Sequence, residues 1–505
     1  MKTFRVVGIF LLLVALLYLP FLGNAFVSDD SSITAMADPH RTWVGAIGWP
    51  TAIHAGGLVH YVIYHIFGPT PWPYRLVNIL LHAGNVTLVW LILRKHTTSR
   101  IAFVAAVLFA IHPLAVESVT WIAGGVVYAY YSFFFLLSLY LYRNTSLVTW
   151  IVSLVSFVIS LSISDKALPL FILFGFYEWM FGDIRKHWKH WIPYIAVTIP
   201  FILFYTTQIG PRIMSVEESS SLHIGLYNPI FQLSLALGTY IELFLWPKHL
   251  TFYHASVLHL WGDFAVRAAA TAAYLGATLI GLIRKKPYGF WLAWVCIALG
   301  VTLLPVKIAR IVAERYIYLG FIGFCVAAAM LFERIVSSKK WGIAVIGICL
   351  GITVVIALGT RTIIRNSEWR TADSLWVATL RESPEDPNSW NNMGDVYGRH
   401  GLYDKSIEAF TQATIIDPRD SDAYHNIGRT YAVMKKYEEA VPYFEKALSI
   451  NPNLWQSYQE LAVIAAEKKE YQKALEYTEK AVNINPSSSA LQHNVQLLHR
   501  AILAQ

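Results

Sequence analysis

Apolar runs of about 20 residues recur along the first 360 residues of the chain, and this is the length at which a helix crosses the hydrocarbon core of a bilayer. Hydrophobic residues make up 56% of the 505 residues and charged residues 14%. We therefore predict an all-α protein in which residues 1–360 form a polytopic bundle of about 11–13 transmembrane helices. Residues 27–73 are too polar to span throughout, so they are predicted to be the first extracytoplasmic loop, with short interfacial helices.

Short basic loops alternate with the apolar runs and predict the orientation of the bundle. They are marked by Arg94-Lys95, Arg143, Arg185-Lys186, Arg284-Lys285-Lys286 and Lys339-Lys340. Because basic loops stay in the cytoplasm, residues 29–30, 112–117, 165–166 and 307–315 are predicted on the extracytoplasmic side, together with the tail after the last span. Residues 229–246 are one crossing too many for this alternation. They are re-entrant, interfacial or paired with another crossing.

The net charge of +8 does not indicate a nucleic-acid partner. From residue 387 onward there are 12 basic and 14 acidic residues, which leaves 28 basic and 18 acidic residues for the rest of the chain. That basic excess lies mostly in the short loops, as in membrane proteins generally. The compact length favours a bacterial inner membrane as the location, with the endoplasmic reticulum as the alternative if the chain is eukaryotic.

A period of 34 residues begins at residue 387 and indicates tetratricopeptide repeats. The period predicts a linker and half repeat over residues 361–386, three repeats over 387–486 and a capping helix over 487–505. Stacked repeats form an α-solenoid with a groove suited to an extended peptide. The predicted groove residues are Trp390, Asn391, Tyr424, Asn426 and Tyr458. The alternative is that the repeats only build or dimerise the protein.

Two adjacent carboxylates, Asp29 and Asp30, follow the first apolar run directly. Ionised groups at a membrane surface are costly unless they are solvated or used, so the pair is either a polar cap on the helix or part of a catalytic site. His112 and Glu117 lie near the outer end of a later run, where they could position an acceptor or simply pack the helix end. Asn78 and His82 share one helical face, where a bond to a neighbouring helix is the simpler interpretation.

Five motifs in order give the chain a family likeness. They are residues 27–30 (VSDD), 74–82 (YRLVNILLH), 111–119 (IHPLAVESV), 245–247 (LWP) and 313–319 (AERYIYL), followed by the repeats. The chain resembles the GT-C superfamily of polytopic glycosyltransferases. It is most similar to the transmembrane-and-tetratricopeptide-repeat O-mannosyltransferases and their bacterial relatives. It departs from them at residues 123–128, where relatives carry a charged pair, and at Ser164-Asp165-Lys166.

The resemblance implies transfer of a single sugar from a polyprenyl-phosphate carrier in the membrane to an extracytoplasmic acceptor, expected to be Ser/Thr of a protein held by the repeats. Mannose is the expected sugar, although the two departures leave its identity open. Such a reaction needs a base for the acceptor hydroxyl and cations for the leaving phosphate. By resemblance Asp29 is the base, and Asp30 assists through orientation or by contacting a divalent metal. No other cofactor is expected.

The same resemblance assigns the lipid phosphate to four cations and support of the site to six further residues. The cations are Lys166, Lys307, Arg310 and Arg315, for which snorkelling to the interface is the alternative. The supporting residues are Asn78, His82, His112, Glu117, Glu314 and Tyr318.

Two other function classes remain open at this point. A non-catalytic scaffold would use the repeats only to recruit partners to the membrane. A ligase or polymerase of the O-antigen type would rely on Arg and His in a large late outer loop, but residues 211–227 are short and hold only Arg212 and His223 of those types. No nucleotide-binding loop accompanies the bundle, which favours a lipid-linked donor.

Overall fold

A computed structural model describes residues 3–30, 55–143, 146–182, 184–219, 229–254, 261–303, 310–486 and 488–503. All regular secondary structure in these ranges is helical, which confirms the predicted all-α class. The chain divides into two compact units. One comprises Met1–Gly210 and Tyr227–Leu375, and the other comprises Pro211–Leu226 and Trp376–Gln505.

The first unit is a helix bundle built on the apolar runs. Its helices are α1 Thr3–Tyr18, α2 Ala55–Phe67, α3 Pro71–Leu93, α4 Ser99–Ile111, α5 Val116–Thr120, α6 Ile122–Leu141, α7 Leu147–Ile163, α8 Phe171–Phe181, α9 Ile184–Ser219, α10 Pro229–Leu245, α11 Trp261–Ile283, α12 Pro287–Ala298, α13 Phe321–Val336 and α14 Trp341–Glu368. α9 extends past Gly210 into the residues of the second unit. Short 3₁₀ turns interrupt the bundle at Leu19–Phe21, Pro113–Ala115, Asp165–Leu170 and Glu314–Ile317.

Five helical segments of the described residues are long and apolar enough to cross a membrane: Thr3–Phe21, Pro71–Leu93, Ile122–Leu141, Asp263–Ile283 and Trp341–Glu368. The pair Ser99–Ile111 and Pro113–Thr120, bent by 56°, makes a sixth if it is one span. Leu147–Ile163, Phe231–Leu245 and Pro287–Ala298 are shorter apolar helices. The helical membrane architecture is thus confirmed, whereas the count of 11–13 spans stays a prediction.

The bend between α4 and α5 has a local cause in the sequence His112-Pro113. Proline disfavours a helical conformation in the residue before it, and His112 is extended, with φ of −75° and ψ of 130°. The His112 Nδ1 atom then accepts a hydrogen bond of 3.2 Å from the main-chain N–H of Leu114, which caps the turn that follows. This break places His112 and Glu117 at the end of the bundle instead of inside a continuous helix.

One end of the bundle, here called the basic end, collects the predicted cytoplasmic loops. The Arg94 Nη1 atom donates to Thr3 Oγ1 at 3.3 Å, so the end of α3 lies beside the start of α1. Arg100 pairs with Glu333 at 3.2 Å, which adds the start of α4 and the end of α13. Basic loops that are separated along the sequence by apolar runs therefore lie at the same end of the bundle.

The opposite end of the bundle, here called the site end, collects the ends of α1, α4, α10 and α14. Thr362 on α14 donates to the carbonyl of Ile111 at 2.6 Å, and Asn366 donates to the carbonyl of Leu17 at 3.3 Å. α10 runs antiparallel to α11, with Glu242 near its end paired to Arg267 near the start of α11 at 3.0 Å. The last helix of the bundle therefore ends beside the chain that leaves the first one.

The second unit contains the repeats. Its helices are α16 Pro387–Arg399, α17 Tyr403–Ile416, α18 Ser421–Val433, α19 Tyr437–Ile450, α20 Trp455–Glu467, α21 Tyr471–Ile484 and α22 Ser489–Leu503, and α15 Ala372–Glu382 precedes them across the boundary. Glycine lets paired helices approach, because a Cβ atom at Gly394 would lie 2.6 Å from the Phe410 ring and one at Gly428 would lie 3.0 Å from the Phe444 ring. The described residues from 387 onward thus form three helix pairs followed by a final helix.

Candidate active site

Asp30 is fully buried and serves as a remote cap for α6. Its Oδ1 atom accepts from the main-chain N–H of Ala123 at 2.8 Å, and Oδ2 accepts from the main-chain N–H of Val27 at 3.1 Å. The residue at the N-cap position of α6 is Trp121, whose side chain makes no capping bond. Asp30 thus supplies the acceptor that α6 lacks, and it ties the segment after α1 to the start of α6.

Asp29, in contrast, is exposed, and its carboxylate makes no hydrogen bond or ion pair within the described part of the chain. The preceding residue, Ser28, has a φ of 52°, in the left-handed region that non-glycine residues seldom adopt. Such strain is found where a surrounding structure holds a functional segment in place. The two predicted acids therefore have different environments: one is a solvated carboxylate and the other is a buried anchor.

Burial raises the pKa of Asp30 to about 6, although hydrogen bonds from Ala123 and Val27 and the charge of Arg75 act in the opposite direction. The unfolded chain releases this proton at a lower pH, so the stability that Asp30 contributes falls as pH rises from about 4 to about 6. We expect the melting temperature of the wild type in detergent, relative to Asp30→Asn, to decline across that window and to level off above it. A difference that rises or stays constant with pH would contradict this assignment.

Glu117 and Arg315 form a buried ion pair between α5 and the Glu314–Ile317 turn. The Glu117 carboxylate accepts both from the Arg315 main-chain N–H, at 2.8 Å, and from its guanidinium. The guanidinium also lies 5.3 Å from the Trp121 ring and 5.0 Å from the Tyr316 ring. The structure thus brings together two predicted residues that are 198 positions apart in the sequence, in a pocket of aromatic rings.

Glu314 belongs to a second buried network, with the end of α14. Arg365 donates to both of its oxygens, at 3.2 and 2.9 Å, and also to Glu368 at 2.7 Å. Glu368 is further paired with Arg361 at 3.3 Å. Burial alone would raise the pKa of Glu314, but Arg365 and His254 outweigh it and lower that pKa below its ordinary value. Glu314, one of the predicted supporting residues, is therefore paired with a buried arginine.

Two predicted phosphate-binding cations lie beside aromatic rings at the site end. The Lys166 Nζ atom is 3.2 Å from Asp165 and 5.7 and 5.6 Å from the Tyr128 and Tyr316 rings. The Arg310 guanidinium lies 4.2 Å from the ring of Tyr253. Tyr316 contacts both Lys166 and Arg315, so it links the two cationic groups. Lys307, the fourth predicted cation, lies outside the described residues.

The remaining predicted supporting residues are buried between helices. His82 Nδ1 lies 2.7 Å from Tyr318 Oη, which joins two of the predicted residues across 236 positions. His112 Nε2 lies 3.0 Å from the carbonyl of Phe244 and holds the end of α10. The Asn78 amide is fully buried against Gly125, and neither of its polar atoms has a hydrogen-bond partner within the described residues.

Three groups in this region escaped the sequence prediction: Arg75, Arg365 and the aromatic set Trp121, Tyr128 and Tyr316. Arg75 is 1% exposed and donates to the main-chain carbonyls of Thr120 and Asn24. The sequence signal for Arg75 was its position within an apolar run. Charged residues are costly in a membrane and usually have a partner there. Arg365, at the end of the last apolar run, is a second charged residue of this kind.

Among the predicted groove residues of the repeats, the aromatic and amide side chains have different contacts. The Trp390 Nε1 atom donates to the carbonyl of Pro384 at 2.7 Å, and Tyr424 and Tyr458 lie near Lys446 and Tyr477 of the second helix of their own repeats. The amides instead connect neighbouring repeats. Asn426 donates to Asn391 at 3.1 Å, and Asn391 donates to Asp420 at 3.1 Å.

No group of three or more His, Cys, Asp or Glu side chains in the described ranges is arranged to hold a metal ion.

Comparison with known proteins agrees with the two-part organisation. Residues 56–209 match the family model described as dolichyl-phosphate-mannose-protein mannosyltransferase. Residues 387–420, 421–454 and 443–476 match models of the tetratricopeptide repeat. The predicted resemblance is confirmed. A region similar to that mannosyltransferase family thus precedes the C-terminal tetratricopeptide repeats.

Animal proteins are among the relatives of this chain. Protein O-mannosyl-transferase TMTC3 of Mus musculus is 25% identical over 390 residues, which cover 68% of this chain and 42% of that protein. Protein O-mannosyl-transferase Tmtc1 of Drosophila melanogaster is 22% identical over 512 residues, which cover 77% and 59% respectively. The chain thus spans about half the length of these relatives. A crystal structure of MamA aligns with 26% of the chain at 21% identity, covering 75% of MamA with a TM-score of 0.24.

Proposed function

We propose that the protein is a membrane glycosyltransferase that moves one sugar, expected to be mannose, from a polyprenyl-phosphate carrier to Ser/Thr of a protein held by the repeats. The observation that carries this proposal is the contrast within the acidic pair: Asp29 is solvated, while the segment that bears it is anchored by the buried Asp30. A base must be held in place and still reach its substrate. The names of the animal relatives support the choice of sugar and acceptor.

In the proposed reaction the acceptor hydroxyl oxygen attacks the anomeric carbon of the carrier-bound sugar. The Asp29 carboxylate takes the hydroxyl proton as the new C–O bond forms. The bond between the anomeric carbon and the phosphate oxygen breaks, and the electron pair leaves with the phosphate. Negative charge therefore grows on the phosphate, where fixed cations stabilise it.

The contacts of the cations support a division of labour among them. Arg315 has its guanidinium and its main-chain N–H engaged by Glu117, so we assign it to the wall of the site. Lys166 is a better candidate for direct phosphate contact, since its ammonium is partly exposed and can turn from Asp165 to a ligand. Arg310, stacked on Tyr253, is the second candidate.

We place the site end on the extracytoplasmic side of a bacterial inner membrane. The support is the concentration of arginine loops at the other end of the bundle, because basic residues remain in the cytoplasm. A carrier with its polyprenyl chain in the bilayer would then present its phosphate at the level of Lys166 and Asp29.

The deciding experiment uses the purified full-length protein in detergent, with polyprenyl-phosphate mannose and a mixed pool of Ser/Thr peptides. Mass spectrometry reads hexose on peptide, and release of polyprenyl phosphate is followed in parallel. Hexose on peptide establishes the proposal. Carrier cleavage without modified peptide moves the acceptor to another class of molecule. Absence of both carrier cleavage and carrier binding overturns the proposal and favours the scaffold.

The amide pair of the repeats predicts a separate effect on the acceptor. We expect Asn391→Ala to raise the KM for peptide several-fold and to leave the KM for the carrier unchanged, because Asn391 links its repeat to the next one through Asn426. Asn453→Ala, in an exposed turn before α20, is the matched control. Equal peptide KM values for the two variants would remove Asn391 from the groove.

A further inference from the structure

Asn24 connects the segment that bears Asp29 to the last helix of the bundle. Its side chain is 5% exposed, and its Nδ2 atom donates to the carbonyls of Asn366, at 3.2 Å, and Trp369, at 3.1 Å. The next main-chain N–H, that of Ala25, donates to the carbonyl of Arg370 at 2.9 Å. Asn366 lies in the last turn of α14, and Trp369 and Arg370 follow that helix directly, so these three bonds attach the segment after α1 to the end of α14.

Arg75 holds the same segment from the opposite side. Its Nη1 atom donates to the carbonyls of Leu22, at 2.9 Å, and Asn24, at 2.7 Å, and Nη2 donates to Ala25 at 3.2 Å. The remaining Nε–H donates to the carbonyl of Thr120 at 2.9 Å. A planar guanidinium presents its donors in a fixed fork, so these four bonds fix direction as well as distance.

Asn24 takes part in both sets of hydrogen bonds. Its side chain donates to the end of α14, and its carbonyl accepts from Arg75. Five residues further on, Asp29 is exposed, and Asp30 is again buried and bonded to Ala123. The segment is therefore fixed before and after Asp29. A reacting group held in this way needs little reorganisation when its substrate arrives.

We propose that Asn24 and Arg75 are positioning residues for Asp29: they clasp residues 22–30 between α3 and the end of α14, and so fix where the base carboxylate stands. This inference rests on the proposed function, because it assigns Asp29 as the base. Both side chains are buried, so they act on Asp29 through the segment and not by binding substrate. α14 is also the last helix of the first unit, so the clasp joins the base segment to the part of the chain that leads into the repeats.

The test compares variants of the full-length protein in the peptide assay, with the carrier KM and kcat measured separately. Asn24→Ala removes both side-chain bonds to α14, and Asn24→Asp sets a carboxylate against two carbonyl oxygens. We expect kcat to fall about 10- to 100-fold in the first, since small misplacements of a reacting group have such effects, and further in the second. The carrier KM stays within about twofold of the wild type, because phosphate contacts are untouched.

Ser367→Ala is the matched control on the last turn of α14, since the exposed Ser367 hydroxyl donates only to the carbonyl of Ile364. A second comparison places Asn24→Ala in an Asp29→Asn background. If Asn24 acts through Asp29, the double variant loses no more activity than Asp29→Asn alone. A merely structural role would lower the activity of both backgrounds by the same factor.

Each outcome decides one question. A wild type that transfers no sugar overturns the proposed function, and this is seen before any variant is compared. With an active wild type, an unchanged kcat for Asn24→Ala, or a further loss in the Asp29→Asn background, overturns the positioning role alone. If Asn24→Ala does not fold, Asn24→Gln replaces it, because it keeps the amide but moves it by one methylene. A reduced kcat with unchanged carrier KM supports the clasp, and a wild-type kcat overturns it.

Discussion

Asp29→Asn is expected to lower the rate of sugar transfer to peptide by at least about 100-fold, since a positioned general base contributes about 10²- to 10⁴-fold. Asparagine keeps the shape of the side chain but cannot take the proton of the acceptor hydroxyl. Asp29 is exposed and makes no bond to the described part of the fold, so the melting temperature should not change. Carrier affinity should also persist, because the cations at the site end are intact. The measurement is kcat in the peptide assay, with carrier binding followed separately.

Asp30→Asn is the matched control, one residue away and with the same change of atoms. Asp30 is buried and accepts two main-chain hydrogen bonds, so its substitution should lower the melting temperature at neutral pH or shift its pH dependence, with a smaller loss of kcat. If Asp30→Asn loses more kcat than Asp29→Asn at equal folding, the roles of the two acids are reversed. Equal rates for Asp29→Asn and the wild type would exclude Asp29 as the base.

Arg365→Met is expected to lower the free energy of unfolding by about 3–5 kcal/mol, which is the usual cost of removing one partner of a buried ion pair. Arg365 is fully buried and supplies three hydrogen bonds to Glu314 and Glu368. Without it, the carboxylate of Glu314 stays buried with only the weaker contact to His254, at 3.7 Å. Denaturation in mixed detergent and SDS measures the loss.

The double variant Arg365→Met/Glu314→Gln tests the cause of that loss. It removes the buried charge along with its partner, while Glu368 keeps its contact with Arg361. We therefore expect it to be more stable than Arg365→Met alone. Glu476→Gln, which breaks an exposed pair with Lys480, should leave the unfolding midpoint unchanged. A double variant less stable than the single one would show that packing, not the uncompensated charge, dominates.

The repeats were predictable in detail because their information is local and periodic. Glycine recurs at residues 394 and 428, where a side chain would collide with Phe410 or Phe444, and this spacing is visible without a structure. The aromatic positions are equally periodic, but period alone does not tell a groove from a core. Trp390, Tyr424 and Tyr458 were predicted in the groove. In the structure Tyr424 and Tyr458 contact the second helix of their own repeats, and Trp390 bonds to Pro384 in the segment before the repeats.

Sequence alone determined that this chain is a helical membrane protein with three repeats, that its basic loops share one end, and that two acids follow the first span. Hydrophobic length, charge and period are properties of neighbouring residues, so they can be read along the chain. Only the tertiary structure decided that Asp29 is solvated and Asp30 buried, that Glu117 holds Arg315, and that Asn24 bonds to the end of α14 from 342 residues away. Burial and hydrogen-bond partners depend on which helices pack together, and that is set by the whole fold.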